Sequence, residues 1–280
     1  MLKSDEFEFV MPEDDKCVKK GLKIVVGVIT VFIGPNGSGK TTVMRKMASE
    51  VGGSIYIPTN RNTLAIYTIK SRKKRPSNIN EAIEYFLYAC YSDEHHIKSD
   101  VEILRKFYSR YGFNNVRWRP SQVEGKIEII ATVETSDGPR DVNLSLAGSG
   151  FNVLFPLISF LSFAENNKTV FIELPELHLH PSLQYELAKF MVDIVLMKKL
   201  RIVLETHSEH IINGLAYAVA SGKISSEKIK IYSFKLKNGF TEVYPLKIMK
   251  DGRIKGEIYD FFETNLNVLK EWLEVHGDKK

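Results

Sequence analysis

Gly34-Pro35-Asn36-Gly37-Ser38-Gly39-Lys40-Thr41 fits the spacing G-x-x-x-x-G-K-[ST], and its flanks decide how it reads. The residues before it, Ile24 to Ile33, are apolar and β-branched and predict a buried strand. The residues after it, Thr42 to Val51, hold no Pro or Gly until Gly52 and predict a helix. Strand, glycine loop and helix form the context in which this spacing binds phosphate. A phosphate chain needs several donors converging on one point. Glycines let backbone N–H groups turn inward without a Cβ in the way. The helix that starts there adds its unpaired N–H groups and the positive end of its dipole. Lys40 is placed to reach the β- and γ-phosphates, the Thr41 hydroxyl to ligate Mg²⁺, and Thr42 to join the cradle on the first helical turn.

Composition sets outer limits. The chain has 280 residues, 44% hydrophobic and 26% charged, which is the profile of a globular protein with a sizeable core. A net charge of +5 permits an anionic partner without requiring one. Cys17 and Cys90 are the only cysteines and have no metal-ligand spacing, so a reducing, cytoplasmic setting is expected. The charged start Met1 to Glu6 has no apolar signal core. The apolar run Phe151 to Ala164 is too short to cross a bilayer and predicts a buried helix.

Along the chain, Phe7 to Met11 predicts an edge strand and Ser54 to Ile57 a short strand stopped by Pro58. Lys70 to Arg75 is a basic run, five cations in six residues. Asn80 to Tyr91 and Val101 to Tyr111 carry apolar residues at helical spacing. Residues from about 60 to 120 are therefore expected to form a helical lobe, inserted into one domain that runs over 1–280. Lys126 to Val133 and Arg140 to Leu146 predict two strands joined by the turn Ser136-Asp137-Gly138-Pro139. Thr169 to Glu173 and Arg201 to Glu205 predict buried strands, with helices Pro181 to Met197 and Glu209 to Ala220 after them. Lys237-Asn238-Gly239 predicts a hairpin between Ile229 to Leu236 and Phe240 to Leu246. Tyr259 to Val275 predicts a closing helix.

Three further elements narrow the reading. Glu173 tips an apolar strand, where a carboxylate would hold the water shell of Mg²⁺. Gly148-Ser149-Gly150 opens the apolar helix and offers a second anion site. His207 follows the next buried strand in Glu205-Thr206-His207-Ser208. In this order the elements resemble an ABC-type ATPase head. Leu144 to Gly150 resembles a diverged signature motif, and His207 sits where the switch histidine belongs. Glu173-Leu174-Pro175-Glu176-Leu177-His178-Leu179-His180-Pro181, with the Thr206-His207-Ser208 segment, is similar to the pattern of AAA_15/AAA_21-type ATPases, compact relatives of the SMC and OLD families. Tyr56-Ile57-Pro58-Thr59-Asn60-Arg61 resembles a further segment of theirs.

The resemblance implies an α/β fold: a P-loop NTPase, an ABC-ATPase-like head with an antiparallel β part and an inserted helical lobe. It implies ATP and Mg²⁺ as cofactors and a homodimer that clamps ATP between Lys40 of one copy and the Gly148-Ser149-Gly150 helix start of the other. It also implies a link to DNA repair or anti-phage defence. Leu174 stands where such heads carry the Glu that polarises water, so Glu176 is the substitute candidate, hydrolysis is expected to be slow, and His207 is the next base to consider. No Asp-x-Asp follows His207, so a nuclease site within this chain is not expected. DNA bound through the basic lobe, with Arg105, Lys106, Arg110, Arg117 and Arg119 near the run, competes with a solvated lobe surface. The other function class is a nucleotide-dependent switch or scaffold acting on a separate effector chain. His178 and His180 alternate like metal ligands but read first as shaping their loop.

Overall fold

The computed structural model describes residues 6–59, 74–122, 127–146 and 149–256. Its central sheet has the strand order β12-β11-β10-β3-β9-β8-β4. The strands are β3 (Ile29–Ile33), β4 (Ile55–Ile57), β8 (Thr169–Glu173), β9 (Arg201–Glu205), β10 (Ile229–Lys237), β11 (Phe240–Ile248) and β12 (Ile254–Lys255). From β4 to β10 all neighbours run parallel, and β11 and β12 close one edge antiparallel. The phosphate-loop strand β3 lies inside the sheet, between β10 and β9. All five residues of β3 and of β8 are buried, which is why both read as unbroken apolar runs in sequence.

The period of two sorts the side chains of these strands between two layers. Val31, Ile172, Ile202 and Leu204 face a core built with α4 (Ser149–Phe163), α5 (Pro181–Lys198) and α6 (Glu209–Ala220). Phe32, Phe171 and Val203 face the other side, where α1 (Lys40–Glu50) contributes Val43, Met44 and Met47. The hairpin of β1 (Phe7–Val10) and β2 (Lys23–Val26) closes that second layer with Phe9, Ile24 and Val26. Each such large apolar side chain stabilises the fold by roughly 1.5–3 kcal/mol when buried.

Two elements of the expected lobe, α2 (Ile79–Ala89) and α3 (His95–Ser109), belong to the first of these cores. Phe86 of α2 stands edge-on to Phe155 of α4 with ring centroids 5.1 Å apart, and Phe107 of α3 meets Phe190 of α5 at 4.9 Å. The lobe's expected end at 120 needs correction, because residues 114–120 form a strand, β5 (Asn114–Pro120). It pairs antiparallel with β6 (Ile127–Thr135), which pairs in turn with β7 (Gly138–Asn143). Val116 and Trp118 point to the core, while Arg117 and Arg119 point away. The expected second strand to Leu146 stops at Asn143 and gives way to a 3₁₀ turn over Leu144–Leu146. α3 starts at His95, six residues before its first expected residue, so His95 and His96 open a helix. The expected closing helix 259–275, most of the basic run, Asn60, Arg61, Ala147 and Gly148 lie outside the described residues.

Among the described residues, the arginines expected to line a nucleic-acid face are paired with acids. Arg117 pairs with Asp141 at 2.6 Å, Arg119 with Glu128 at 2.9 Å and Arg105 with Glu102 at 3.1 Å. Arg110 lies 3.6 Å from both Glu186 and Asp193. Arg75, the last residue of the run, is drawn inward to Asp100 at 2.8 Å and to the Phe163 carbonyl at 3.0 Å. A cation held by a carboxylate releases fewer counterions on meeting a phosphate backbone.

Candidate functional site

The loop leaves β3 and turns back on itself because its glycines stand at positive φ: Gly34 at 131°, Gly37 at 76° and Gly39 at 97°. A Cβ on Gly34 would collide with the Phe234 carbonyl of β10, and one on Gly39 with the Thr241 hydroxyl of β11. Two positions of the motif are thus fixed as glycine by close approach as well as by backbone conformation. Thr241 also donates to the Ser38 carbonyl at 2.9 Å, bracing the loop from the antiparallel edge. Gly39 caps α1, whose first N–H groups open toward the loop. The Ser38 hydroxyl is buried among these groups and has no hydrogen-bond partner among the described residues.

Lys40 is 2% exposed and curls back over the loop, donating to the Gly34 carbonyl at 2.9 Å and the Pro35 carbonyl at 2.8 Å. Burial holds its ammonium below the ordinary lysine value, an effect partly offset by the Glu205 carboxylate 3.6 Å away. Thr41 donates from its hydroxyl to the other oxygen of Glu205 at 2.6 Å. A cleft of about 260 Å³ opens beside Thr41 and Thr42, against Asp15 and Lys16.

Glu173, expected beside Thr41, is turned elsewhere. One oxygen accepts from Arg45 Nε at 3.1 Å, from Arg45 Nη2 at 2.9 Å and from the Tyr56 hydroxyl. The other accepts from the Thr59 amide at 3.0 Å and its hydroxyl at 2.8 Å. Burial pushes the Glu173 carboxyl up, but the bonds from Tyr56, Thr59 and Arg45 outweigh it and hold the group below the usual range. Glu173 and Glu205 stand directly opposite in the β8–β9 register, yet they serve different neighbours.

Beyond β8 the chain makes a tight loop through Leu174 and His178, both at positive φ. The Leu174 amide donates to the Glu205 carbonyl at 2.9 Å. Glu176 accepts from the backbone N–H of His207 at 2.7 Å, tying the loops after β8 and β9 together. Partial burial and the nearby Lys40 charge hold the His207 imidazole below its ordinary value. His180 caps α5 by accepting from the Ser182 amide, which is the loop-shaping role expected of it. The helix start expected as a second anion site has Gly150 pressed on the same loop, where a Cβ would lie 2.9 Å from the His178 carbonyl. Leu146, just before it, is 83% exposed.

The structure therefore brings together Lys40, Thr41, His207 and Glu176, and adds Glu205, which the sequence reading had left within a motif without a role. In sequence Glu205 ends a buried apolar strand just as Glu173 does; its place opposite Phe32 of β3 comes from the sheet order.

Such a sheet, with its phosphate loop and its carboxyl-end acids, has a P-loop α/β fold similar to that of a solved SMC head. Residues 102–212 match the family model AAA_15, described as an AAA ATPase domain, a span that includes Glu173, Glu176, Glu205 and His207 but not the phosphate loop. Among solved structures, an SMC head bound to the C-winged helix domain of ScpA aligns at 12% identity with a TM-score of 0.51, covering 88% of this chain and 98% of that one. The SMC head domain from Thermotoga maritima aligns at 11% identity with a TM-score of 0.48, covering 86% and 98%. No curated protein matches the chain in sequence.

Proposed function

We propose that this chain binds ATP with Mg²⁺ through residues 34–42, works as an ATP-gated dimer and hydrolyses ATP slowly. The observation that carries this reading is the geometry of the loop. Three glycines at positive φ, a buried lysine folded over the loop and a helix start stand together, and the buried Ser38 hydroxyl still has a donor to give. These groups fit a triphosphate. Lys40 would supply the point charge, and the amides of the loop and of α1 the directed donors. Bound Mg²⁺ would neutralise phosphate charge, with Thr41 as one of its ligands. Among the described residues no helix is long and apolar enough to cross a membrane.

The Gly148-Ser149-Gly150 helix start is the surface for the second copy. Exposed Leu146 beside it supplies an apolar contact to a partner head. Light scattering is expected to show a monomer without nucleotide and a dimer with ATP, and Leu146→Glu to weaken that dimer. A parent chain that stays monomeric at saturating ATP would remove the dimer from this reading. Gly150 is the poorer place for a test, because any side chain there meets the His178 carbonyl.

Slow turnover follows from Leu174, which has no proton acceptor at the place after the strand acid. Glu176 is the remaining carboxylate of the loop. Glu176→Gln keeps an oxygen to accept from His207 N–H, so the loop stays tied while the base is lost. If Glu176 is the base, the residual rate falls by roughly 10²–10⁴-fold. A rate equal to the parent's would make Glu176 a loop tie alone. Slow turnover also favours the second reading, a nucleotide-dependent switch acting on a separate effector chain. A role in DNA repair or defence draws support from fold likeness only, since the described lobe arginines are paired with acids.

A further inference from the structure

Two buried acids end adjacent parallel strands in the same register, Glu173 on β8 and Glu205 on β9. Only one of them reaches the phosphate loop. Glu205 accepts from the Thr41 hydroxyl at 2.6 Å with one oxygen and lies 3.6 Å from Lys40 Nζ with the other. Both oxygens of Glu173 are taken up by Arg45, Tyr56 and Thr59. Strand order explains the division. β9 pairs with the phosphate-loop strand, and the Thr206 amide donates to the Phe32 carbonyl at 3.0 Å, so the end of β9 is pinned under the loop. β8 is one strand further out, and α1 presents it with Arg45.

The side chains follow that placement. Mg²⁺ with a triphosphate takes one or two carboxylates, a hydroxyl and waters in a compact octahedron. A carboxylate already bonded to the ligating hydroxyl stands in the first or second sphere of any ion bound there. One tied by five donors to Arg45, Tyr56 and Thr59 would first have to give them up. Leu174, whose amide holds the Glu205 carbonyl, brings no competing acid to the same corner.

We infer that Glu205 is the carboxylate of the Mg²⁺ shell. Glu173 is a positioning residue that fastens α1 to β4 and to the turn at Thr59. The inference rests on the reading of residues 34–42 as an ATP site and names the acid that completes it.

Its test separates metal from nucleotide. ATP affinity is measured by calorimetry in EDTA, and Mn²⁺ affinity of the ATP-loaded protein by electron paramagnetic resonance. Both are done for the parent, Glu205→Gln, Glu205→Asp and Glu173→Gln, with melting curves to confirm folding. Glu205→Gln is expected to lower Mn²⁺ affinity by about 10–100-fold, the loss typical of removing a group that directs a metal ligand. ATP affinity in EDTA is expected to hold or rise, since a negative charge leaves the phosphate site. Glu205→Asp keeps the charge but withdraws it by one methylene, so an intermediate loss is expected and provides the readout if the Gln variant unfolds. Glu173→Gln is expected to keep the parent's Mn²⁺ affinity. The inference is overturned if the Glu205 variants bind Mn²⁺ like the parent, or if Glu173→Gln takes the loss instead. Equal losses of ATP with and without metal in Glu205→Gln would also overturn it, making Glu205 a counter-ion for Lys40 only. A parent that binds no ATP in EDTA or with metal overturns the ATP reading itself, and this proposal with it.

Discussion

Lys40→Met is expected to bind ATP about 100-fold more weakly or worse, as read by calorimetry against the parent. Charge-assisted hydrogen bonds contribute roughly 1.5–3 kcal/mol each, and about 1.4 kcal/mol is tenfold in affinity. Losing one such bond to phosphate therefore sets a loss of about tenfold, and losing two a loss of about 100-fold or more. Lys40 is buried, so little water stands ready to replace it. The loop should loosen as well. Its ammonium donates to the Gly34 and Pro35 carbonyls, and Met leaves both without that donor. The variant should keep its fold by circular dichroism, because the glycines, the Thr241 brace and the α1 core do not depend on the ammonium. Parent-like ATP affinity in a folded Lys40→Met protein would remove the phosphate-binding reading of residues 34–42.

Part of the architecture was legible because its signals are local. Glycine spacing marks the loop, the run Val170 to Ile172 marks a central strand, and Asn238-Gly239 marks a hairpin whose two turn residues do stand at φ 51° and 80°. The strand at 114–120 was missed for equally local reasons. Its alternation is short, a bulge with Asn115 at φ 48° interrupts it, and Pro120 ends it, so the arginines dominate the pattern. Those arginines looked like one basic face because acids that are distant in sequence, Glu128 and Asp141 among them, come beside them only through strand pairing.

The candidate site divides the same way. Lys40 and Thr41 follow from a motif whose geometry is carried by eight contiguous residues. The choice between Glu173 and Glu205 does not, because both end buried strands in sequence. Which of them turns to the loop depends on the strand beside β3, and that is a property of sheet order. Arg45, Tyr56 and Thr59 give no sequence signal as partners of Glu173. They lie on a helix, a strand and a turn that meet only when α1 packs across the sheet.

Asp100→Ala is expected to be strongly destabilising although it lies outside the nucleotide site. Asp100 on α3 is 6% exposed and accepts from Lys198 at 2.8 Å and from Arg75 at 2.8 Å. Lys198 also donates to the Ala164 carbonyl at 3.1 Å and Arg75 to that of Phe163, so both cations gather at the carbonyl end of α4. Asp100 of α3 thus holds Arg75 and Lys198 of α5, and both cations reach the carbonyl end of α4. Removing one partner of a buried pair costs about 3–5 kcal/mol, because the remaining charge stays out of water. Arg75 can turn to solvent, but Lys198 is 5% exposed and cannot. Denaturant unfolding should therefore show a loss of that size in Asp100→Ala. Replacing both buried partners, Asp100→Leu with Lys198→Met, should recover most of it, since an apolar pair of similar volume needs no counter-charge. The pH dependence supplies an independent check. Burial, more than offsetting the Asp100 charge, holds the Lys198 ammonium below its ordinary value. The unfolded chain then binds that proton more tightly than the folded one, so stability from this group rises with pH up to the ordinary lysine value of about 10.4. Lys198→Met should flatten that rise. If Asp100→Ala unfolds at the parent's midpoint, the cluster is solvated in the native state and ties no helices together.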